Sequence, residues 1–338
     1  MFSAVFFLVC TLFFLYKSYC VIFGGMGAPS HAMKLTSIIT VNYNQPQLTC
    51  LFLRSILDHD PLETIEVIVV DNGSREDHGL MFKAVYPQLI YIRSEKNLGF
   101  AGGNNLGIGH ARGEYLLFLN NDTEITQNFV RALRDELDHH AEIGLISPLI
   151  LFFEDKHKIQ YAGYTPMNYL TGRNKSIGAL EDDHGQYDAM TTVTGYCHGA
   201  AMMCRKADLA RVGLMAEHFF LYYEELDWCE KFKRAGFSMG FTGKAKIYHK
   251  ESMSVGKASA LKTYFMARNR WLFIRRNAPW PATLFFACYY LLIPMPYLII
   301  KHLARGRFDL AKAVLRGMVW NTTHSTTSGD LGIELPAN

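Results

Sequence analysis

The chain has no Cys-x-x-Cys pair, and its seven cysteines (Cys10, Cys20, Cys50, Cys197, Cys204, Cys229 and Cys288) are odd in number and scattered. That pattern argues against a disulfide framework or a zinc site and fits a reducing compartment. Net charge is also scarce: 19% of the 338 residues are charged and the formal balance is +3. So small a balance gives no electrostatic footprint for nucleic acid, and no nucleic-acid partner is expected. The Gly-x-Gly-x-x-Gly spacing of dinucleotide sites is missing as well. The glycine-rich stretch from Asn97 to Gly107 has no strand ending directly into it and no matching acid about twenty residues later, which disfavours a dehydrogenase. Its glycines allow the backbone to approach a ligand or a neighbouring strand closely, and a helix after it offers an N-terminus to anions.

The chain is rich in apolar residues, 49% of the total, gathered at its two ends. Residues 2–23 are broken only by Lys17 and are long enough for a bilayer core. No Lys or Arg precedes this run and no clear small-x-small site follows it, so an anchor is expected rather than a cleaved signal. Lys17 and Lys34 then place the main domain on the cytoplasmic face of the membrane. Near the other end, residues 282–300 carry no charge, with Arg275 and Arg276 before them and Lys301, Arg305 and Arg307 after. Cations on both sides, together with Pro294 and Pro296, argue for an in-plane or re-entrant segment over a tilted span or a buried core helix. Just before it, Leu261, Phe265, Arg268 and Leu272 fall at helical spacing, with Lys257, Lys262, Arg270, Arg275 and Arg276 nearby. A basic helix beside an apolar segment suits an anionic membrane surface or a pyrophosphate-bearing lipid, or is a solvated helix face. Three parts follow: an anchor at 1–33, a main domain at 34–255 and a membrane-associated helical part at 256–338.

In the main domain, strand-like runs at Leu35–Val41, Ile65–Val70, Leu89–Ile92 and Tyr115–Leu119 alternate with helical patterns. Continuous apolar strands separated by helices predict a Rossmann-like α/β domain with a mostly parallel sheet. The strands end in polar residues: Asn42, Tyr43 and Asn44; then Asp71 and Asn72; then Asn120, Asn121 and Asp122. In a parallel sheet these ends share one edge, so a single cleft collects them. Asp122 is suited to hold Mg²⁺ or Mn²⁺ carrying a diphosphate. Equally, Asn121 or Asp122 serves as the cap of a helix starting near Gln127.

After residue 150 the pattern loosens. Gly163–Gly185 is read as a long surface loop over the cleft. In the run Phe-Leu-Tyr-Tyr-Glu-Glu-Leu-Asp-Trp-Cys, three carboxylates sit in an aromatic setting. Crowding and apolar surroundings raise carboxylate pKa values, so one of Glu224, Glu225 and Asp227 is a candidate general base. A plain helix start, with acids in its first turn, has the same appearance. His249 follows an expected strand at Ala245–Tyr248.

Val-Asn-Tyr-Asn (41–44), Val-Val-Asp-Asn-Gly-Ser (69–74), Asn-Leu-Gly-Phe-Ala-Gly-Gly-Asn-Asn (97–105), Phe-Leu-Asn-Asn-Asp-Thr (118–123) and Tyr-Glu-Glu-Leu-Asp-Trp (223–228) occur in this order. Together they resemble the family 2 inverting glycosyltransferases with a GT-A fold, most nearly the rhamnosyltransferase-like enzymes of polysaccharide assembly. The resemblance covers about residues 35–320. It implies that Val41, Tyr43, Asp71, Asn97 and Asn121 bind a nucleotide-sugar donor, that Asp122 and His249 hold the metal, and that Glu225 is the base. It also implies a lipid-linked saccharide acceptor, in keeping with the apolar ends. Asn120 and Asn121 depart from the family pattern by replacing its first acid, which leaves one carboxylate for the metal. Two other readings stay open on sequence: a catalytically silent nucleotide- or sugar-binding scaffold at a membrane, and nucleotidyl transfer. The latter calls for a basic, glycine-rich loop after the first strand, which Val-Asn-Tyr-Asn does not supply.

Overall fold

Apolar strands deliver the polar residues of this chain to one edge of a mixed sheet. The computed structural model describes residues 34–59, 64–250 and 259–335. The expected anchor at 2–23 and Lys257 lie outside them. The first half alternates as the sequence predicts: β1 (Thr36–Asn42), α1 (Pro46–His59), β2 (Ile65–Asn72), α2 (Gly79–Val85), β3 (Ile90–Ser94), α3 (Gly99–Ile108) and β4 (Tyr115–Leu119). There follow β5 (Thr123–Ile125), α4 (Phe129–His139), β6 (Ile143–Phe152), β7 (Ile159–Tyr161), β8 (Thr191–Thr194), β9 (Ala201–Arg205) and the short α5 (Leu209–Val212). Then come α6 (Glu224–Arg234), β10 (Ser238–His249), α7 (Ala260–Asn277), α8 (Trp280–Leu292), α9 (Pro294–Leu303) and α10 (Phe308–Thr323).

The strand order is β3-β2-β1-β4-β9-β6-β10-β5, with β7 beside β6 and β8 beside β10. β3, β2, β1 and β4 run parallel, as does the pair β6 and β10. β9 is antiparallel to both β4 and β6, and β5, β7 and β8 are antiparallel to their partners. The sheet is therefore mixed, and the expected parallel pairing holds for its first four strands and for the β6–β10 pair. The reason is that β9 inserts between β4 and β6 in the reverse direction. Two reversals restore the direction of β6 and β10, so the C-terminal ends of β1, β2, β4 and β10 still share one edge. Every residue of β2 and β4 is buried. Burial of each Val, Ile, Leu or Phe there contributes about 1.5–3 kcal/mol. Glu66, an acid at the start of β2, is held by Arg112 at 2.8 Å and by the Ser37 hydroxyl at 2.5 Å.

The glycine-rich stretch packs protein against protein. Most of it is α3, which lies on β1. A Cβ at Gly103 would come within 3.0 Å of Val41, and one at Gly107 within 2.5 Å of Ile39. Gly99 (φ +72) meets the carbonyl of Phe220, which also accepts a 2.7 Å hydrogen bond from Phe100 N. The helix N-terminus expected to serve anions is thus occupied by protein. Gly163–Gly185 is likewise more ordered than a plain loop. Ala162, Thr165 and Asn168 donate backbone hydrogen bonds to Ile177, Lys175 and Arg173, so the segment folds back on itself as an irregular hairpin.

The C-terminal helices join the same compact unit as the sheet. Ser259 caps α7 by accepting from Lys262 N at 3.1 Å. The expected basic membrane face on α7 is not formed. Phe265, Leu272 and Arg268 are fully buried, Arg276 pairs with Asp227, and Arg275 donates to the carbonyl of His324. Helical spacing of apolar residues reads the same whether a helix packs against protein or lipid, and here protein covers it.

Candidate active site

The polar ends of β1, β2 and β4 are knitted together, with Asn42 Nδ2 donating to Asp71 Oδ1 at 3.3 Å. Thr49 Oγ1, on α1, donates to Asn42 Oδ1 at 2.9 Å and accepts from Asn121 Nδ2 at 2.9 Å. Asp71 Oδ2 accepts from Tyr91 at 3.0 Å, and its Oδ1 accepts from Ser74 N at 3.2 Å. Asn97 Oδ1 accepts from Asn72 Nδ2 at 3.1 Å and from Gly99 N at 2.9 Å. Asp71 is fully buried and Asn121 nearly so, whereas Val41 and Tyr43 are partly open at the rim. The structure thus gathers Val41, Tyr43, Asp71, Asn97 and Asn121 on one floor, with Asp71, Asn97 and Asn121 already engaged in hydrogen bonds.

Asp122 does not cap a helix. β5 intervenes before α4, which begins at Phe129, and β5 pairs antiparallel with the end of β10 in the register His249↔Thr123. Lys250 N donates to the Asp122 carbonyl at 2.9 Å. This pairing brings His249 Nε2 to 3.3 Å from Asp122 Oδ1. His249 Nδ1 lies 2.9 Å from Gln160 Oε1, and in the tautomer that donates this hydrogen bond Nε2 turns a lone pair toward Asp122. The Nε2–Oδ1 contact is close enough for an ion pair but is not aligned as a hydrogen bond, and Oδ1 has no hydrogen-bond partner. Two buried acceptors face each other, an arrangement that a cation between them relieves. The residues therefore fit a divalent metal. Among the described residues no third His, Cys, Asp or Glu joins them. Mg²⁺ or Mn²⁺ held through one carboxylate, one imidazole and the phosphates of a ligand matches that donor set.

The turn preceding β9 carries the third component. Leu119 pairs with Ala201, and Asn120 N donates to the Ala200 carbonyl at 3.0 Å, so residues 198–200 lie beside Asn120–Asp122. His198 stacks on Tyr164 and lies with its ring 6.0 Å from that of His249. Burial, with a further push from His249, lowers its pKa to about 3, so it is neutral at ordinary pH. Sequence reasoning passed over His198, because a single His in a small apolar run carries no motif. The Glu225 side chain lies over Gly199, where a Cβ would sit 3.5 Å from Glu225 Cγ. Burial raises Glu225 to about 7, and burial with the adjacent Glu225 charge pushes Glu224 well above the carboxylate range. Glu224 Oε2 is buried without a hydrogen-bond partner. Glu225 is half-buried and faces the turn, so it is the carboxylate poised to accept a proton near neutrality.

Asp227 has a different task. It is fully buried, with Arg276 Nε at 2.9 Å and Asn277 Nδ2 at 2.9 Å. Asp227→Ala strands a largely buried guanidinium, and a loss of roughly 3–5 kcal/mol in unfolding free energy is expected by denaturant titration. A change below about 1 kcal/mol would mean that the pair is exposed in solution.

The segment leading to the acids is strained. Phe220, Tyr222 and Tyr223 have φ of 63°, 69° and 73°. Such backbone costs about 1–3 kcal/mol per residue and persists only where its surroundings fix it. Asn269 of α7 does so: its amide nitrogen lies 2.8–2.9 Å from the carbonyls of Phe219, Leu221 and Tyr222.

A family model described as glycosyl transferase family 2 matches residues 37–210. The chain is 30% identical over 242 residues to the low-salt glycan biosynthesis hexosyltransferase Agl10 of Haloferax volcanii, covering 70% of this chain and 74% of that protein. It is 22% identical to the N-acetylglucosaminyl-diphospho-decaprenol L-rhamnosyltransferase of Mycobacterium tuberculosis, covering 65% of this chain and 78% of that protein. In fold it is similar to the mannosyltransferase PcManGT of Pyrobaculum calidifontis, solved with GDP-Man and Mn²⁺. The TM-score is 0.54 at 15% identity, over 86% of this chain and 87% of that one.

Proposed function

Because the chain belongs to glycosyl transferase family 2 and is a glycosyltransferase of mixed α/β, GT-A-like fold, we propose that it moves a hexosyl or rhamnosyl group, with inversion, from a nucleotide-diphosphate sugar to a lipid-linked saccharide in cell-surface polysaccharide assembly. The observation that carries this reading is the convergence of Asp122, His249 and Glu225 at one sheet edge. Val41, Tyr43, Asp71, Asn97 and Asn121 form the floor on which the nucleotide sugar rests. Asp122 and His249 hold a divalent cation that, when bound, neutralises charge developing on the leaving nucleoside diphosphate. Glu225 removes the proton of the acceptor hydroxyl. That oxygen forms its bond to the anomeric carbon on the face opposite the breaking bond to the diphosphate, so configuration inverts in one displacement. A screen of nucleotide sugars with Mg²⁺ or Mn²⁺ tests the reading. Thermal stabilisation by one donor, with its transfer or slow hydrolysis, supports it. Stabilisation by a nucleotide sugar that is never turned over identifies a silent binding protein instead.

The acceptor's lipid calls for a membrane. Trp280–Leu303, 24 residues, is long and apolar enough to cross one. The helix nevertheless breaks at Ile293, and Phe286, Tyr290 and Met295 are buried against the rest of the chain. On the outer side, Trp280, Leu292 and Ile300 are 78%, 75% and 64% exposed, with Lys301 and Arg305 beyond. A helix pair with one side on protein and the other side apolar and bare suits an in-plane seat at the cytoplasmic face of the membrane. Removal of residues 1–30 is therefore expected to weaken membrane association without abolishing it. Salt should partly release the trimmed protein, because exposed cation contacts are screened, while the whole protein requires detergent. Fractionation of the two proteins with and without salt checks this. A trimmed protein wholly soluble at low salt rules out the second contact.

A further inference from the structure

Arg270 stands between the base and the apolar helices. Of the other arginines on α7, Arg276 pairs with Asp227, Arg275 donates to the Asn321 and His324 oxygens, and Arg268 donates to the His218 carbonyl and Asn269 Oδ1. Arg270, half-buried on α7, makes no ion pair among the described residues. Its Nε donates to the Tyr223 hydroxyl at 3.1 Å. The phenols of Tyr289 and Tyr290 lie close enough to act on its charge. Tyr223 is two residues before Glu225. On the other side, Gly172 (φ +61) at the hairpin tip fits between Arg270 and α8, where a Cβ would come 3.2 Å from Arg270 Cγ and 2.8 Å from the Phe286 ring. Arg173, next in the chain, is exposed and also makes no ion pair among the described residues. Its charge reaches Tyr290. Continuous contacts thus run from the base loop through a guanidinium to the helix whose outer side is bare and apolar.

We propose that Arg270, assisted by Arg173, binds the diphosphate through which the acceptor saccharide is joined to its lipid. This rests on the reading of a lipid-linked acceptor given above. The chemistry fits each part: a sugar hydroxyl at Glu225, a polyanion at a forked guanidinium beside the Tyr223 hydroxyl, and a hydrocarbon chain along α8. Donor phosphates are assigned instead to the sheet edge where Asp122 and His249 meet.

The probe is farnesyl diphosphate in detergent, compared with farnesol, with the donor site filled by saturating nucleoside diphosphate and Mn²⁺. Wild-type protein is expected to prefer the diphosphate. Arg270→Gln should weaken its binding about tenfold or more, the scale of a lost charge-assisted pair, and leave farnesol binding unchanged. Arg270→Lys, which keeps the charge but not the fork, should fall between. Unchanged nucleoside diphosphate affinity shows that the variants are folded. The proposal is overturned if wild-type binds both probes equally or if Arg270→Gln binds the diphosphate as wild-type does. It is overturned too if farnesyl diphosphate displaces the nucleotide, since the anion then belongs to the donor pocket. If Arg270→Gln loses binding to phosphatidylglycerol vesicles but keeps farnesyl diphosphate affinity, the residue reads bulk lipid headgroups and the assignment is wrong. Preferential diphosphate binding in a protein that turns over no nucleotide sugar would sink the transferase mechanism and leave this site standing.

Discussion

Glu225→Gln is expected to lower turnover on the order of 10²-fold or more while donor affinity stays nearly constant. The amide keeps the size of the side chain but has no basic oxygen for the acceptor proton. Glu225 starts from a pKa raised to about 7 by burial. Its base form is the deprotonated one, so wild-type turnover should climb as pH rises through the neighbourhood of 7 and level off above. The variant should show a low rate without that rising limb. Glu224 and Glu225 titrate together, so the limb reports the pair. Glu224→Gln is the discriminating control. Glu224 is buried deeper, and burial with the neighbouring Glu225 charge favours its neutral form, so its amide should preserve most activity. An inactive Glu224→Gln beside an active Glu225→Gln would reverse the assignment.

Asp122→Ala should cost on the order of 10²–10³ in metal-dependent transfer, the scale of removing one preorganised stabiliser of transition-state charge. It should not cost stability. Asp122 Oδ1 is buried without a hydrogen-bond partner, and the contact with His249 is poorly aligned. Removing a buried, unsatisfied carboxylate is neutral or mildly stabilising in metal-free protein. Two readouts separate these effects. Thermal unfolding without metal should be unchanged or shifted upward, and the upward shift caused by Mn²⁺ with nucleoside diphosphate should largely vanish. A variant that still gains the full Mn²⁺ shift would show that the cation binds elsewhere.

The parallel half of the sheet was legible because β1, β2 and β4 are uninterrupted apolar runs ended by Asn and Asp. The family resemblance read from five ordered motifs also holds. Strand direction beyond β4 was hidden. The five residues Ala-Met-Met-Cys-Arg of β9 look alike in either direction, and their antiparallel pairing depends on where the preceding turn leaves the chain. The same limit applied at the site. Asp122, Glu225 and His249 stand at the ends of legible elements, but His198 does not. The partner that removes Asp227 from contention, Arg276, is 49 residues away, beyond any local pattern. The glycines of residues 97–107 were legible as places of close approach, but not that the neighbour is the carbonyl of Phe220 in the loop before the acids.

That loop also settles how far the C-terminal helices can be treated as a detachable tether. Phe220, Tyr222 and Tyr223 keep their left-handed backbone because Asn269 gathers the surrounding carbonyls, and Asn269 belongs to α7. A boundary near residue 255 would separate the spring from its catch. The chain has no modular joint between chemistry and attachment, so a version trimmed before α7 is the wrong soluble enzyme to make. Grafting these helices onto another sheet domain would likewise leave the base geometry behind. Tilt or displacement of α7 also acts directly on where Glu225 stands, because Asn269 holds the loop that leads to it.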